Sequence, residues 1–525
     1  MKKLNLKKIQ KDYTDGNYLD VIFETEDLLE EYPDDPNLWN LKGISEAALN
    51  DDDSAIASFK AGAKKNKSKE GIRKNLAKIY FKIQDINSAL NIFEELIEID
   101  SKNFDYFFIC ADCCIKLQNF SKGLFYLDRC MEINSTNNDD INIGYSVCLR
   151  GLGRFNESIE ICEMLIKNNS SNYKAINILA TNYIETKEFD LAINLYENNL
   201  PNNHSHFEAY NNLGIIYENL NKIPIAEVNY RKSLSINDEH IEANYNLANL
   251  LIATQREEES LIHLAKGGYR GRIKIPETLY NLGSIDRFEE YISSIKLKIP
   301  FDRRIAAIAN FYSEQYDADN PYNWCSKPFD FLVKENISDL LLKKNLNYET
   351  LIEETDNLVE EFEPRDMTTI NGYQTLGNLF NLNSTNVQIL KEIISSKVKD
   401  YQERFKNETA PFITNWPENY ILNGWRVKLL TQGKQEFHIH ARAWCSGVFY
   451  LNIPKQLNKD EGAIEFGLYG FDYKLKKNKT YTELYMPSKG DLVLFPSALF
   501  HRTIPFDSNE ERLCIAFDIN PKLKN

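Results

Sequence analysis

The 525-residue sequence has no excess of basic residues. It contains 62 Lys and Arg residues against 77 Asp and Glu residues, so its formal net charge at pH 7 is −15. Proteins that bind nucleic acids need clustered Lys and Arg side chains, because these contact the phosphate groups. The charge balance therefore argues against a nucleic-acid partner.

Long hydrophobic runs and paired cysteines are also lacking. No segment reaches the roughly 20 apolar residues that a membrane-spanning helix needs. The charged first residues lack the apolar stretch of a signal peptide. The nine cysteines are scattered and odd in number, which indicates reduced thiols rather than a disulfide framework. Together these absences predict a soluble, cytoplasmic protein with no membrane partner.

Three cysteines, Cys110, Cys113 and Cys114, lie close together in the stretch "CADCC". No second cysteine pair and no histidine follows them at the spacing of a zinc finger. We therefore expect them to be buried on a helix and not to bind metal.

The N-terminal half contains an internal repeat. Small residues recur every 34 residues, with one step of 35. A second small residue follows each of them after twelve positions, and a mostly bulky residue follows after four more. The three series are Gly43, Ala77, Ala111, Ser146, Ala180, Gly214 and Ala248; then Ala55, Ala89, Gly123, Ser158, Ala192, Ala226 and Ser260; then Phe59, Phe93, Leu127, Cys162, Tyr196, Tyr230 and Leu264.

This pattern predicts two antiparallel helices per repeat. Small residues let the helices approach closely, and the bulky residue is expected to fill the groove to the next repeat. A single unit cannot bury its apolar face, so the units stack into a superhelix. The pattern resembles the tetratricopeptide repeat, and with a weaker copy around Ile9 we expect about eight repeats over residues 2–273. The resemblance implies a concave face that binds a peptide or a partner protein; the alternative is an array that only spaces or dimerises the chain.

The periodicity fades after Gly268, although the next residues still have a helical pattern. We predict three parts: a tetratricopeptide-repeat superhelix at 1–273, a helical cap and linker at 274–324, and a β-rich domain at 325–525. One more amphipathic helix is predicted in that last part, where apolar residues recur at helical spacing. These residues are Val387, Leu390, Ile393 and Ile394.

After Pro411 short apolar runs alternate with turn residues. Because no helix pattern separates these runs, we expect a largely antiparallel sheet, folded as a barrel or a double-sheet jelly roll. The predicted fold class is therefore α+β and multidomain. The runs are "GWRVKLLT", "SGVFYLNIP", "GAIEFGLY", "GDLVLFPS" and "RLCIAFDI".

Histidine is scarce, and three of the seven in the chain fall in this β-rich part. His438 and His440 face the same way if they lie in one strand, because side chains alternate along a strand. His501 follows a different predicted strand. Three imidazoles that meet inside a barrel predict a divalent-metal site, and imidazole suits iron, zinc, copper and nickel.

Arg512 begins the last predicted strand, eleven residues after His501. A buried guanidinium needs an anionic partner, and its fork suits a carboxylate. The partner is either a small carboxylate co-substrate or a carboxylate of the chain. The candidates within the chain are Asp507, Glu511 and Asp518.

The motifs "FHIHARAW", "SGVFYLNIP", "GAIEF", "GDLVLFPSALFH" and "RLCIAFD", in this order, resemble the 2-oxoglutarate- and iron(II)-dependent oxygenases. They are most similar to a bacterial family with an H-x-H…SGVYY…FPS…H signature. The resemblance covers roughly residues 410–520, and residues 325–410 more weakly. It implies a double-stranded β-helix in which His438 and His501 bind Fe(II) and Arg512 binds 2-oxoglutarate. It also implies hydroxylation by O2, coupled to oxidative decarboxylation of 2-oxoglutarate.

Two positions depart from the wider superfamily. His440 stands where an Asp or Glu ligand is usual, so it is either a third ligand or a neighbour of the metal with water in the third position. Cys514 stands where many members have a Ser that contacts 2-oxoglutarate. The alternatives are a cupin-like or zinc metalloenzyme and a repeat scaffold with a non-catalytic β-domain. By analogy with other oxygenases that carry such repeats, we expect a peptide or protein substrate, and a small metabolite or carrier-bound substrate stays open.

Overall fold

Helices joined in pairs by short turns make up the first of two units, Met1–Asn237, and the second unit is Asp238–Lys524. The computed structural model describes residues 6–65, 70–134, 138–199, 206–356, 358–364, 367–455 and 458–522. In the described part of the first unit the helices are α1 (Leu6–Thr14), α2 (Tyr18–Glu31), α3 (Pro36–Ala48), α4 (Asp52–Lys65), α5 (Glu70–Lys82), α6 (Ile86–Ile99), α7 (Phe104–Lys116), α8 (Phe120–Ile133), α9 (Asp139–Gly151), α10 (Phe155–Asn168), α11 (Tyr173–Glu185), α12 (Phe189–Asn199), α13 (Phe207–Asn219) and α14 (Ile223–Ile236).

The second unit begins with more helices and continues into a sheet. Its helices, within the described residues, are α15 (Ile241–Ala253), α16 (Glu257–Lys266), α17 (Gly268–Asn281), α18 (Ile285–Ile295), α19 (Arg303–Tyr316), α20 (Ser338–Lys343), α21 (Tyr348–Asp356), α22 (Thr385–Phe405) and α23 (Pro411–Thr414). Its strands are β1 (Val333–Asn336), β2 (Glu360–Phe362), β3 (Thr369–Thr375), β4 (Tyr420–His438), β5 (Cys445–Asn452), β6 (Ile464–Gly467), β7 (Thr482–Tyr485), β8 (Asp491–Pro496), β9 (Phe500–Thr503) and β10 (Arg512–Pro521).

The turn inside each helix pair contains one residue with a left-handed backbone. These residues repeat with the 34-residue period and its one step of 35, so the turns follow the same register as the small residues. Glycine adopts this conformation without steric cost, and polar residues adopt it in the other turns. They number eight from α1 to α16, which agrees with about eight repeats: Gly16, Asn50, Gln84, Gln118, Gly153, Lys187, Asn221 and Gln255.

All members of the three predicted series are buried. A Cβ atom added at Gly43 would lie 2.6 Å from Cε1 of Phe59, and one at Gly214 would lie 2.4 Å from Cε1 of Tyr230. In these two repeats the bulky side chain therefore packs on the small residue of its own repeat. Leu127 makes the expected contact with the next repeat, to which Gly144 belongs. A Cβ atom added at Gly144 would lie 3.1 Å from Cδ2 of Leu127. The bulky side chain thus packs within its own repeat in some repeats and against the next repeat in another.

The three clustered cysteines lie on α7 and are buried, as predicted. All nine cysteines are free thiols and buried. None of the helices in the described part of the chain combines the length and the apolar character needed to span a bilayer.

The strands form one curled antiparallel sheet with the order β1-β8-β5-β10-β4-β9-β6-β7. Strand β3 pairs with β4, and β2 pairs with β3. Strand β4 has 19 residues and joins two layers, because its first half pairs with β10 and its end pairs with β9. One layer is β8-β5-β10-β4 and the other is β4-β9-β6-β7. This arrangement confirms the predicted class: an α-solenoid of repeats and a jelly-roll-like β-domain with flanking helices.

Apolar side chains fill the space between the two layers. The outer face of the β8-β5-β10-β4 layer is covered by helices, so β5 is buried on both faces except at its last residue. Helix α22 belongs to this cover, and the four apolar residues predicted for it are at most 2 % exposed.

Helix α19 packs against the β-rich part of its unit. The side-chain oxygen of Gln315 accepts hydrogen bonds from the backbone N–H groups of Lys476 and Lys477, at 3.0 and 2.8 Å. Gln315 is 1 % exposed. A helix from the segment expected to be cap and linker thus supports the connection between β6 and β7. The predicted boundaries at residues 273 and 324 stay predictions.

We expect Gly214→Ala to lower the free energy of unfolding by about 1–3 kcal/mol, because the added methyl group overlaps the ring of Tyr230. Gly71→Ala is the matched control, since a Cβ atom there meets nothing within 4 Å. Alanine favours the helix at both positions, but Gly71 is in the first turn of α5, so the control should gain at most about 0.5 kcal/mol. Urea unfolding followed by circular dichroism measures both, and equal effects would contradict the packing.

Candidate metal centre and its cavity

His438 and His501 face each other on neighbouring strands. They are direct partners in the antiparallel ladder between β4 and β9. Their ring centroids lie 4.2 Å apart. Directly opposed residues of an antiparallel pair place their side chains on the same face of the sheet. The pairing therefore brings together two residues that are far apart in the chain.

His440 lies just beyond the end of β4. Its backbone N–H donates a hydrogen bond to the carbonyl oxygen of Ser497 at 3.0 Å. Its ring centroid lies 5.2 Å from that of His438 and 5.1 Å from that of His501. One ligand nitrogen from each of the three residues lies within 4.8 Å of the others. The structure thus brings the three predicted histidines into one cluster.

Each imidazole is held by a hydrogen bond at its Nδ1 atom. Nδ1 of His440 lies 2.6 Å from Oδ1 of Asp518. The corresponding atoms of His438 and His501 lie 2.7 and 3.2 Å from the backbone oxygens of Glu436 and Leu499. An acceptor at Nδ1 places a proton there, which leaves Nε2 as the nitrogen that can bind a metal in each ring. Such bonds orient the imidazoles of metal sites.

The protonation state of two of the three rings, those of His438 and His501, suits metal binding. Burial, with a smaller effect of the neighbouring His440 ring, lowers the pKa of His438 to about 3. Burial also lowers the pKa of His501 well below its usual value. Both rings are therefore neutral near pH 7. Neutral imidazole is the form that donates a lone pair to a cation.

Arg512 is the first residue of β10 and is 2 % exposed. Its Nε donates to the backbone oxygen of Gly462 at 3.1 Å, and one terminal nitrogen donates to the hydroxyl of Tyr450 at 3.4 Å. Within the described residues it forms no ion pair, so the three carboxylates considered as partners do not neutralise it. A buried charge without a counter-ion is costly. The guanidinium therefore provides a site for an anion.

The histidine cluster and Arg512 line the same cavity. The apolar part of its wall comes from both layers of the sheet, so the cavity lies inside the curled sheet. Its lining residues are Trp425, Gln435, His438, His440, Gly447, Val448, Tyr450, Ile464, Phe495, His501, Thr503, Arg512, Cys514 and Ala516.

A second, wider cavity adjoins the first and shares Trp425, Gln435, His438 and His440 with it. We call it the outer groove. The histidine cluster thus lies between an inner space that holds a cationic group and an outer space reached from the surface. The other residues of the outer groove are Pro364, Met367, Thr368, Gln374, Thr375, Leu376, Gly377, Asn378, Asn423, Ile439, Ala441, Arg442 and Asp518.

Comparisons with protein families match both parts of the chain. Residues 423–518 match the family described as "Putative 2OG-Fe(II) oxygenase", where 2OG is 2-oxoglutarate. Residues 207–240 match the tetratricopeptide repeat, and residues 63–130 match subunit 3 of the anaphase-promoting complex, or cyclosome. The chain carries tetratricopeptide repeats and a domain of the 2OG-Fe(II) oxygenase family. No curated protein matches the chain.

Three solved structures that are similar to part of the chain are tetratricopeptide repeat proteins. A tetratricopeptide repeat protein from Parabacteroides merdae is 16 % identical, with a TM-score of 0.38, and the alignment covers 47 % of this chain and 97 % of that protein. The C-terminal part of a repeat protein from Cytophaga hutchinsonii is 14 % identical, with a TM-score of 0.35. The alignment covers 46 % of this chain and 99 % of that protein. YrrB, described as a repeat protein with an unusual peptide-binding site, is 17 % identical, with a TM-score of 0.26, and covers 44 % and 97 %.

Several residues of the oxygenase-family domain near the cluster were not predicted from the sequence. Trp425 stacks on His440 with ring centroids 5.6 Å apart. Thr503 and Gln435 are ladder partners on β9 and β4, and both line the inner cavity. The alternation of side chains along a strand could have indicated Thr503, because it is two residues after His501 and so lies on the same face of the strand. Trp425 belongs to a distant part of β4, and only the curl of the sheet brings it close.

We expect Asp518→Asn to weaken Co(II) binding about 10–100-fold, because the carboxylate that orients the His440 ring is lost. Asp507→Asn is the matched control, since that exposed carboxylate accepts a surface hydrogen bond from Thr431 and lies outside both cavities. His501→Ala should abolish binding. Calorimetric titration with Co(II) measures all three, and unchanged affinity in Asp518→Asn would contradict the assigned role.

Proposed function

We propose that this protein is a 2-oxoglutarate- and iron(II)-dependent dioxygenase that hydroxylates a peptide or protein substrate. One observation carries the proposal: a buried arginine without a carboxylate partner, among the described residues, lines the same cavity as three clustered imidazoles. The first group fits an anionic co-substrate and the second fits a divalent metal. The match of residues 423–518 to an oxygenase family supports the same reading.

Iron(II) would be held by His438, His440 and His501. Imidazole nitrogens are suitable ligands for Fe(II), and the fixed Nδ1 protons leave the Nε2 lone pairs for the metal. His440 fits a ligand better than a neighbour of the metal, because Asp518 orients its ring as the backbone carbonyls orient the other two. The departure from the usual Asp or Glu at this position is therefore compatible with a metal centre.

2-Oxoglutarate would be held with one carboxylate against Arg512. The hydroxyl of Tyr450 lies beside the guanidinium, and Thr503 lies on the same cavity wall. Burial makes the interaction with an anion strong, because no water competes for the guanidinium. Cys514, which stands in place of a Ser, also lies beside Arg512, with its sulfur 3.9 Å from a guanidinium nitrogen.

When supplied with Fe(II), 2-oxoglutarate and O2, a site of this kind would hydroxylate an unactivated C–H bond, coupled to release of succinate and CO2. The chain contributes binding and orientation, and it limits access of water. Val448, Ile464 and Phe495 provide apolar walls around the inner cavity. Such walls prevent side reactions when no substrate is present.

The substrate would lie in the outer groove. Asn423 and Gln374 line this groove with side-chain amides that can both donate to and accept from a peptide backbone. Met367 and Leu376 also line it and are 58 % and 54 % exposed, so an apolar side chain of a substrate would cover them. This combination of amides and apolar surface favours a peptide segment over a small, highly charged metabolite.

The repeat array would bring the protein that contains this segment. Stacked helix pairs of the tetratricopeptide type present extended concave surfaces, and such surfaces commonly bind peptides or partner proteins. The nine free thiols suit a reducing compartment, which supports a cytoplasmic location. The net charge of −15 supports a partner other than nucleic acid.

Purified full-length protein, mixed without oxygen with Fe(II) and 2-oxoglutarate, is expected to show the weak visible absorption band of 2-oxoglutarate bound to iron. Admission of air should remove the band and release succinate. Incubation with a peptide library should then add the mass of one oxygen atom to particular peptides. A protein that binds metal but gives neither band nor succinate would contradict the proposal and favour a zinc site or a non-catalytic domain.

Arg512→Gln is expected to raise the dissociation constant of 2-oxoglutarate at least tenfold while metal binding is kept, because hydrogen bonds to charged groups contribute about 1.5–3 kcal/mol. Arg502→Gln is the matched control, since this guanidinium is bound to Glu465 and does not line the cavity. Titration of the visible band measures both variants. Equal affinity in the Arg512 variant and the wild type would refute the assigned role.

A further inference from the structure

The loop that follows His440 is held through all of its backbone carbonyl groups. The oxygen of His440 accepts from the N–H of Ala443. The oxygens of Ala443 and Trp444 lie 2.6 and 2.9 Å from the hydroxyl of Ser497 and share its single proton, and the Trp444 oxygen also accepts from the backbone N–H of Ser497 at 3.4 Å. The remaining two carbonyls, those of residues 441 and 442, point to a different partner.

That partner is Arg303, the first residue of helix α19. Its Nε donates to the oxygen of Ala441 at 3.1 Å, and one terminal nitrogen donates to the oxygen of Arg442 at 3.0 Å. The other terminal nitrogen donates to the oxygen of Phe301. One guanidinium thus joins the start of a helix to a loop that lies 138 residues further along the chain.

The start of α19 is itself well anchored. The Asp302 carboxylate accepts from the backbone N–H groups of Arg304 and Ile305, at 2.9 and 3.0 Å, and so caps the helix. The backbone N–H of Asp302 donates to the hydroxyl of Tyr322 at 2.7 Å. Asp302 is 6 % exposed. Arg303 therefore extends from a rigid base.

His440 depends on this loop more than the other two histidines do. His438 and His501 lie within paired strands, so the sheet itself holds their backbones. His440 lies beyond the last residue of β4, and its backbone is held by the contact with Ser497 and by the turn that follows. Movement of residues 441 and 442 would therefore displace His440 first.

We propose that Arg303, which does not line the cavity, is a positioning residue that sets the metal centre by fixing the loop after His440. The inference rests on the proposed function, because it assumes that His440 binds the metal. Two successive carbonyls need two donors at a fixed separation, and the planar guanidinium provides them. A lysine at this position would keep the charge and contact one carbonyl at a time.

The test measures Co(II) affinity by calorimetry and the Co(II) visible spectrum, without turnover. Arg303→Gln is expected to weaken binding about tenfold and to change the spectrum, as loss of groups that orient metal ligands does. Arg303→Lys should fall between this variant and the wild type. Arg304→Gln is the matched control, because the neighbouring guanidinium packs over Phe471, 4.4 Å from the ring centroid, and should leave affinity within twofold.

A second comparison separates positioning from general destabilisation. In a His440→Ala background, Arg303→Gln should cause no further loss of Co(II) affinity, because its effect passes through His440. An equal loss in both backgrounds would overturn the proposal, as would wild-type affinity and spectrum in Arg303→Gln. If Arg303→Gln does not fold, Arg303→Lys decides between the same outcomes. Failure of the wild type to bind Co(II) would overturn the proposed metal centre and this inference together.

Discussion

The antiparallel pairing of β4 with β9 is the constraint on which the site depends. It places His438 directly opposite His501 and aligns Gln435 with Thr503 on the same cavity wall. A shift of one residue would turn one histidine to the other face of the sheet. The choice of residue in both strands is therefore limited on one face of the sheet by packing in the core and on the other face by the site.

The second constraint is the burial of Arg512 beside this pair. Its contacts are to the Gly462 carbonyl and the Tyr450 hydroxyl, both uncharged groups. Folding thus buries a positive charge that, within the described residues, no carboxylate neutralises. Burial of this charge without a counter-ion costs free energy, and an anion bound beside it would offset the cost. Binding of an anionic co-substrate would therefore stabilise the domain.

The third feature is the involvement of helices in a β-sheet site. Helix α19 contacts the loop after His440 through Arg303 and the connection between β6 and β7 through Gln315. The helices of the second unit therefore form part of the support of the oxygenase-family domain. A catalytic constellation is only as well ordered as the groups behind it, so such support matters for chemistry.

The sequence by itself determined the repeat array and supplied the candidate site residues that the structure brings into one cavity. The period of 34 residues is visible in the sequence, because each repeat contacts mainly the repeats next to it. The same positions of every repeat therefore need side chains of similar size. The H-x-H pair, the later histidine and Arg512 were recognisable because few residue types can bind a metal or a carboxylate. Short apolar runs indicated strands for the same local reason.

Only the tertiary structure decided which of these residues lie together and what supports them. The ladder that joins β4 to β9, the partnership of His440 with Asp518 and the clamp formed by Arg303 all link residues more than sixty positions apart. Periodicity carries no information about such pairs, because they arise from the curl of the sheet and the docking of helices on it. That Arg512 has no carboxylate partner among the described residues likewise became apparent only when its surroundings were known.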